Sequence, residues 1–172
     1  MDAVFKHKEC VDIILDSWRF LQSEGSLRLH AYVVMEDHLH LVASGDNLSN
    51  TMRRFLSHTA RQIIDHFTKH DPEDYLTVFR AHCPINQGTA VHKVWRGDYH
   101  PQGIVSEYMY DQKVKYIHQN PVRKGLVHSA DDWPYSSLAY RNGQPNLPPI
   151  HPVRIPAVLA GSARPDRRLE YT

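Results

Sequence analysis

The sequence is poor in cysteine, has no long apolar run and carries almost no net charge. Its two cysteines, Cys10 and Cys83, stand far apart, which excludes a disulfide framework and the paired spacing of a zinc site. No apolar stretch approaches the ~20 residues of a membrane span, and the N-terminus lacks a signal-peptide core. We therefore expect a protein of the reducing cytoplasm with no membrane partner.

Length and charge set the broad class. The chain has 172 residues, of which 41% are hydrophobic and 23% charged, as expected for one globular domain with a substantial core. A formal net charge of +1 does not single out a nucleic-acid binder. Basic residues nevertheless outnumber acidic ones between 91 and 128 and again from 141 onward, so a local basic face is expected.

The hydrophobic periodicity predicts an α+β fold. The predicted elements are, in order, a helix over 4–23, a hairpin of strands 27–35 and 38–44, a helix to about 69, a strand over 91–99, a helix over 108–119 and a short helix after an ordered loop over 131–137. This order fits an antiparallel sheet with helices on one face, of which the split β-α-β pattern of ferredoxin-like folds is the nearest motif. Residues 1–140 would form the domain. Residues 141–172 would be a Pro/Arg-rich tail, draped on the surface or partly disordered.

A His-x-His pair lies in the second predicted strand. Because successive side chains of a strand point to opposite faces, His38 and His40 share one face and Leu39 shares the other with Leu41. Two adjacent imidazoles can offer two neutral nitrogens to one divalent cation. The alternative is two polar positions on the open face of a half-solvated strand.

Two helices carry polar residues at helical spacing. Arg54, His58 and Arg61 line one face of the second helix, which is either a solvated face or a face that contacts phosphates. In the later helix the apolar stripe is Tyr110, Val114 and Ile117. Lys113, Tyr116 and Asn120 lie on a neighbouring face, and Pro121 is expected to end the helix.

Three stretches together resemble the single-tyrosine HUH transposases, and the Asn-Pro-Val form resembles the subgroup of REP-associated tyrosine transposases. The resemblance covers residues 5–140. It is carried by the strand-turn-strand at 31–42, by Lys-Tyr-Ile-His-Gln-Asn-Pro-Val-Arg-Lys-Gly-Leu-Val at 115–127 and by Asp-Trp-Pro-Tyr-Ser-Ser at 132–137. Each block alone is weak, whereas all three in this order form a specific signal.

The resemblance implies a ferredoxin-like antiparallel sheet and the cleavage and rejoining of single-stranded or hairpin DNA. It also implies that His38, His40 and Asn120 are metal ligands and that Tyr116 is the nucleophile, forming a covalent 5′-phosphotyrosine link. Mg²⁺ prefers oxygen ligands, so a mixed set of imidazole and amide ligands suits Mn²⁺ as well.

The residues themselves support such roles. Lys113, one turn before Tyr116, would favour its phenolate. Arg54, Arg61, Arg123 and Lys124 would contact DNA phosphates.

The chain also departs from the family pattern. It begins almost at the first helix, where the family has an additional strand, so a sheet edge is expected to stay open or to be covered by a homodimer partner. The turn reads Met-Glu-Asp where the family often has Met-Pro-Asn. Two further functions stay open from the sequence: a non-catalytic DNA-binding module from a degraded or domesticated copy, and a metal-dependent phosphoesterase with a water nucleophile.

Overall fold

The computed structural model describes residues 4–70, 94–95, 102–153 and 169–171. The elements in chain order are α1 (Lys8–Ser23), β1 (Arg28–Val34), β2 (Leu39–Ser44), α2 (Leu48–His70), β3 (Gln102–Gly103), α3 (Glu107–Arg123), α4 (Ser137–Arg141) and β4 (Leu169–Tyr171). Helices pack against an antiparallel sheet, so the predicted α+β class is confirmed. Within the described ranges, none of the helices has the length and apolar character that a bilayer crossing requires.

Strands β1 and β2 form the predicted hairpin. They pair antiparallel from Arg28 opposite Ser44 to Val34 opposite Leu39. The alternation of side chains places Leu39, Leu41 and Ala43 in a core with α1 and α2. The same alternation directs the other residues of β2 to the opposite face, where Val42 joins a second, smaller core.

Helix α3 covers that second face. It packs there through buried Ile117 and through half-buried Tyr110 and Val114, which are the predicted stripe. The expectation of helices on one face therefore holds for α1, α2 and α4, whose Ala139 belongs to the first core, but not for α3. The physical reason is that β1 is apolar on both faces, since Ala31 and Val33 also need cover from water.

The C-terminal strand β4 lies inside the sheet. The strand order is β1-β2-β4-β3, with β4 antiparallel to both neighbours. Its partners on β2 are Leu41, Val42 and Ala43. Residues 169–171 therefore cover the edge of β2 that faces away from β1, and the last part of the expected tail belongs to the fold.

Residues 147–151, from the start of the same tail, cross β1 and α1. Leu147 is buried in the first core, and Pro148 O accepts a hydrogen bond from Tyr32 Oη at 3.0 Å. The His151 backbone N–H donates to Leu29 O at 2.7 Å. These contacts order the segment, as the draped-tail interpretation implies.

Most of the predicted strand 91–99 lies outside the described residues. Val94 and Trp95 are described and belong to no strand. Trp95 donates from Nε1 to Thr59 Oγ1 at 3.0 Å and lies against Phe5, so it packs on the first core.

Candidate metal and tyrosine site

The two histidines of the His-x-His pair lie together, as the alternation predicts. His38 ends the hairpin turn and His40 lies inside β2. Their ring centroids are 4.9 Å apart, and the ring planes are perpendicular. His40 is only 2% exposed, so this end of the pair is shielded from bulk water.

His38 is held by its neighbour in the turn. His38 Nδ1 lies 2.6 Å from Asp37 Oδ1, and Asp37 Oδ2 lies 3.5 Å from Lys124 Nζ at the end of α3. Partial burial acts to raise the pKa of Asp37, but the hydrogen bonds and charges of His38 and Lys124 outweigh it and lower the pKa overall. The site therefore contains a carboxylate that the sequence prediction did not include.

His40 is a neutral imidazole at physiological pH. Burial is the main cause that lowers its pKa to about 4, and the charges of His38 and Lys113 act in the same direction. Its Nδ1 is buried and finds no hydrogen-bond partner among the residues that the structure describes. A buried nitrogen of a neutral imidazole that has no such partner can serve as a metal ligand.

Tyr116 reaches this site from α3. The helix is capped by Ser106, whose side chain accepts from the Met109 backbone N–H. The Tyr116 side chain is 40% exposed, and its ring lies edge-on to His40 with centroids 5.7 Å apart. The guanidinium carbon of Arg123 lies 4.8 Å from the centre of the Tyr116 ring. An accessible phenol thus lies between an imidazole and a cation.

The prediction that Pro121 ends the helix was wrong. Helix α3 continues to Arg123, and Asn120 is helical. A proline lacks the N–H that would bind the carbonyl of Ile117. Asn120 Nδ2 donates to that carbonyl at 3.4 Å and to Tyr116 O at 2.9 Å, which compensates for the missing bond. The amide oxygen of buried Asn120 takes no part in these bonds and is the atom that suits a hard cation.

Lys113 reaches from α3 to β3. Its Nζ donates to Gln102 Oε1 of β3 at 2.8 Å. Its charge acts on His40, where it helps to lower the pKa of the imidazole. Lys113 therefore acts on His40 through its charge. Its predicted effect on the Tyr116 phenolate stays a prediction.

The four predicted DNA-contacting residues separate into two places. Arg123 and Lys124 lie at the end of α3, beside Tyr116 and Asp37. Arg54 and Arg61 line a surface depression on α2, with Arg53, Ser57 and His58. Helix α2 packs on the opposite face of the sheet, and Arg54 pairs with Glu24 at 2.9 Å. The two arginines of α2 are therefore not part of the histidine and tyrosine site.

The Asp-Trp-Pro-Tyr-Ser-Ser stretch at 132–137 contacts both of the other stretches that carry the resemblance, 31–42 and 115–127. Trp133 Nε1 donates to Val34 O at 2.9 Å, and the Val34 N–H donates to Tyr135 O at 2.9 Å. Ser137 Oγ accepts from the Tyr32 N–H and lies 2.7 Å from Nε2 of His118, two residues after Tyr116 in α3. The three stretches that carry the resemblance are thus in direct contact.

Across the described part of the chain, no group of three or more His, Cys, Asp or Glu side chains is arranged to hold a metal ion. A metal site here would accordingly rest on two imidazoles completed by an amide oxygen. The predicted set is His38, His40 and Asn120, of which the structure shows the two imidazoles in contact with each other.

Comparison of the chain with protein-family models, with curated proteins and with solved structures found no match in any of the three.

Proposed function

We propose that this chain is a metal-dependent transposase that nicks and rejoins single-stranded or hairpin DNA through a covalent 5′-phosphotyrosine intermediate. The observation that carries the proposal is the placement of the exposed Tyr116 ring 5.7 Å from His40, which itself lies 4.9 Å from His38. A nucleophile of the right type thereby adjoins a pair of metal-ligand side chains.

The donor set fits a divalent cation such as Mn²⁺ or Mg²⁺. His40 would bind through its unpaired Nδ1 and His38 through Nε2, since its Nδ1 is engaged by Asp37. The amide oxygen of Asn120 would complete the set. When bound, the cation supplies charge neutralisation and polarisation at the scissile phosphate.

The phenol of Tyr116 has the role of nucleophile. Its Oη gives up its proton to solvent and attacks the phosphorus, the bond from phosphorus to the 3′ oxygen breaks, and that oxygen takes up a proton from solvent and leaves as a hydroxyl. The DNA stays attached through its 5′ phosphate to Tyr116. Because the link keeps the energy of the broken bond, attack by a 3′ hydroxyl rejoins the strand without a nucleotide cofactor.

Arg123 supports this step from the same helix. A guanidinium over the face of an aromatic ring is attracted by the ring quadrupole, which favours one orientation of Tyr116. Guanidinium also presents several donors to phosphate oxygens. Arg123 therefore combines two tasks, to orient the nucleophile and to hold the phosphate that it attacks.

A nicking assay tests the proposal. Hairpin single-stranded DNA labelled at one end is incubated with the protein and Mn²⁺ or Mg²⁺, with EDTA as control, and run on a denaturing gel. We expect a shortened strand and a protein-linked strand, both dependent on metal. His38→Ala should reduce metal binding and cleavage together.

Two other results would replace the proposal. Metal-dependent nicks that leave no protein-linked DNA at any time of reaction, in the unaltered chain and in Tyr116→Phe alike, indicate a phosphoesterase with a water nucleophile. Hairpin binding without nicks or adduct under any metal indicates a DNA-binding module on the same fold.

A further inference from the structure

The carboxylate of Asp37 connects the histidine pair to the tyrosine helix. Its Oδ1 contacts Nδ1 of His38 at 2.6 Å, and its Oδ2 contacts Nζ of Lys124 at 3.5 Å. The first contact lies within the hairpin turn, whereas the second reaches the residue that caps α3 at its C-terminus. The side chain of Asp37 is 23% exposed, so both contacts are partly shielded from water.

A carboxylate on one ring nitrogen decides what the other nitrogen can do. When Nδ1–H donates to Asp37, Nε2 of a neutral imidazole carries a lone pair and no proton. The same hydrogen bond fixes the rotation of the ring. The opposite tautomer would leave Nε2 protonated and unable to bind a cation.

We infer that Asp37 is a positioning residue: it presents Nε2 of His38 to a divalent metal, and Lys124 holds the carboxylate in place from the end of the tyrosine helix. This inference rests on the proposed function, because it assigns Asp37 a task only if His38 is a ligand. It also changes the role of Lys124, whose ammonium is directed at least in part to Asp37 rather than to DNA.

The neighbouring acid gives a matched control. Glu36 adjoins Asp37 in the same turn, but its carboxylate pairs with Lys6 at 3.6 Å. Glu36→Gln removes one negative charge from the turn and leaves the His38 contact in place. Asp37→Asn keeps an oxygen that can accept from Nδ1–H, and Asp37→Ala removes it.

The first measurement needs no metal. Nitrogen-15 NMR of the imidazoles in mildly alkaline buffer with EDTA reports which nitrogen of His38 carries the proton. We expect Nδ1–H in the unaltered chain, in Glu36→Gln and in Asp37→Asn. Asp37→Ala should shift His38 toward the Nε2–H tautomer. Retention of Nδ1–H in Asp37→Ala would overturn the inference.

The second measurement is titration with Co²⁺, followed by its visible absorption. Asp37→Ala should weaken binding roughly 10–100-fold, Asp37→Asn by less, and Glu36→Gln by less than about twofold. Equal losses in Asp37→Ala and Glu36→Gln would overturn the inference, because they would indicate a general effect of charge. Tight Co²⁺ binding that Asp37→Ala leaves unchanged overturns the inference alone, whereas no Co²⁺ binding by the unaltered chain overturns the proposed function as well.

Discussion

The ring of Tyr116 lies edge-on to the imidazole of His40, with the two ring centroids 5.7 Å apart. His40 belongs to β2, and Tyr116 belongs to the helix that covers the same face of the sheet. This contact joins the strand that would hold a metal to the helix that carries an accessible phenol. The proposed chemistry depends on that relationship more than on any other in the fold.

Arg123→Ala should affect both DNA binding and the covalent step. Loss of one phosphate contact should weaken binding to all hairpin sequences alike and reduce the slope of log K against log salt by about 1. Because Arg123 also lies over the Tyr116 ring, adduct formation should slow even at saturating DNA. The measurements are binding at several salt concentrations and single-turnover adduct formation.

Arg61→Ala is the matched comparison. Arg61 lies on α2, on the far side of the sheet, so its loss should weaken binding without slowing adduct formation at saturating DNA. An Arg123→Ala protein with altered hairpin preference and an unchanged salt slope would contradict the phosphate role of Arg123.

Asn120→Ala should destabilise the end of α3. It removes the amide that donates to the carbonyls of Tyr116 and Ile117. The Ile117 carbonyl has no helical N–H partner, because residue 121 is proline. The expected loss is about 1–2 kcal/mol in the free energy of unfolding, measured with urea. The double variant Asn120→Ala with Pro121→Ala should recover part of it, because residue 121 regains an N–H. No recovery would show that the amide does not compensate for the proline.

Acid should destabilise the metal-free protein between pH 6.5 and 4. Burial is the main cause that lowers the pKa of both His40 and His118 from 6.5 to about 4. In that interval the unfolded chain binds more protons than the folded one. The contribution of these groups to the free energy of unfolding is therefore complete above pH 6.5 and is lost as the pH falls toward 4. Each imidazole contributes roughly 3 kcal/mol. His118→Gln should flatten the profile of melting temperature against pH, and an unaltered chain equally stable at both ends would contradict this account.

Glu170→Pro should loosen the histidine-bearing strand from its far edge. Glu170 is the centre of β4 and pairs with Val42 on one side and Gln102 on the other. Proline in a central strand removes a ladder donor and is poorly tolerated there. We expect faster hydrogen exchange at residues 41–43 and a lower melting temperature than in Glu170→Ala, which keeps the backbone N–H of the ladder. Equal behaviour of the two variants would show that β4 does not support β2.

The sequence was sufficient for the features that depend on local periodicity. Alternation over 38–43 predicts that His38 and His40 lie together, and the helical stripe of Tyr110, Val114 and Ile117 predicts the face of α3 that packs. Both follow from the geometry of one element and need no knowledge of its neighbours.

The features that the sequence did not predict depend on contacts between distant segments. Strand β4 is three residues long, too short to show a period, and its partners lie in other parts of the chain. The contact of Asp37 with Lys124 likewise exists only because the hairpin turn meets the end of α3. The prediction that Pro121 ends the helix was wrong because a side-chain hydrogen bond from Asn120 replaces the backbone hydrogen bond that proline cannot donate.

The most direct test of the central claim is mass spectrometry of the covalent product. The protein is incubated with hairpin single-stranded DNA and Mn²⁺, digested and searched for a nucleotide-modified peptide. We predict modification at Tyr116. Both the modified peptide and the cleaved DNA should be absent in Tyr116→Phe. Both should be present in Tyr108→Phe, which alters a more exposed tyrosine of the same helix. Cleavage that persists in Tyr116→Phe, or a modified residue other than Tyr116, would contradict the account.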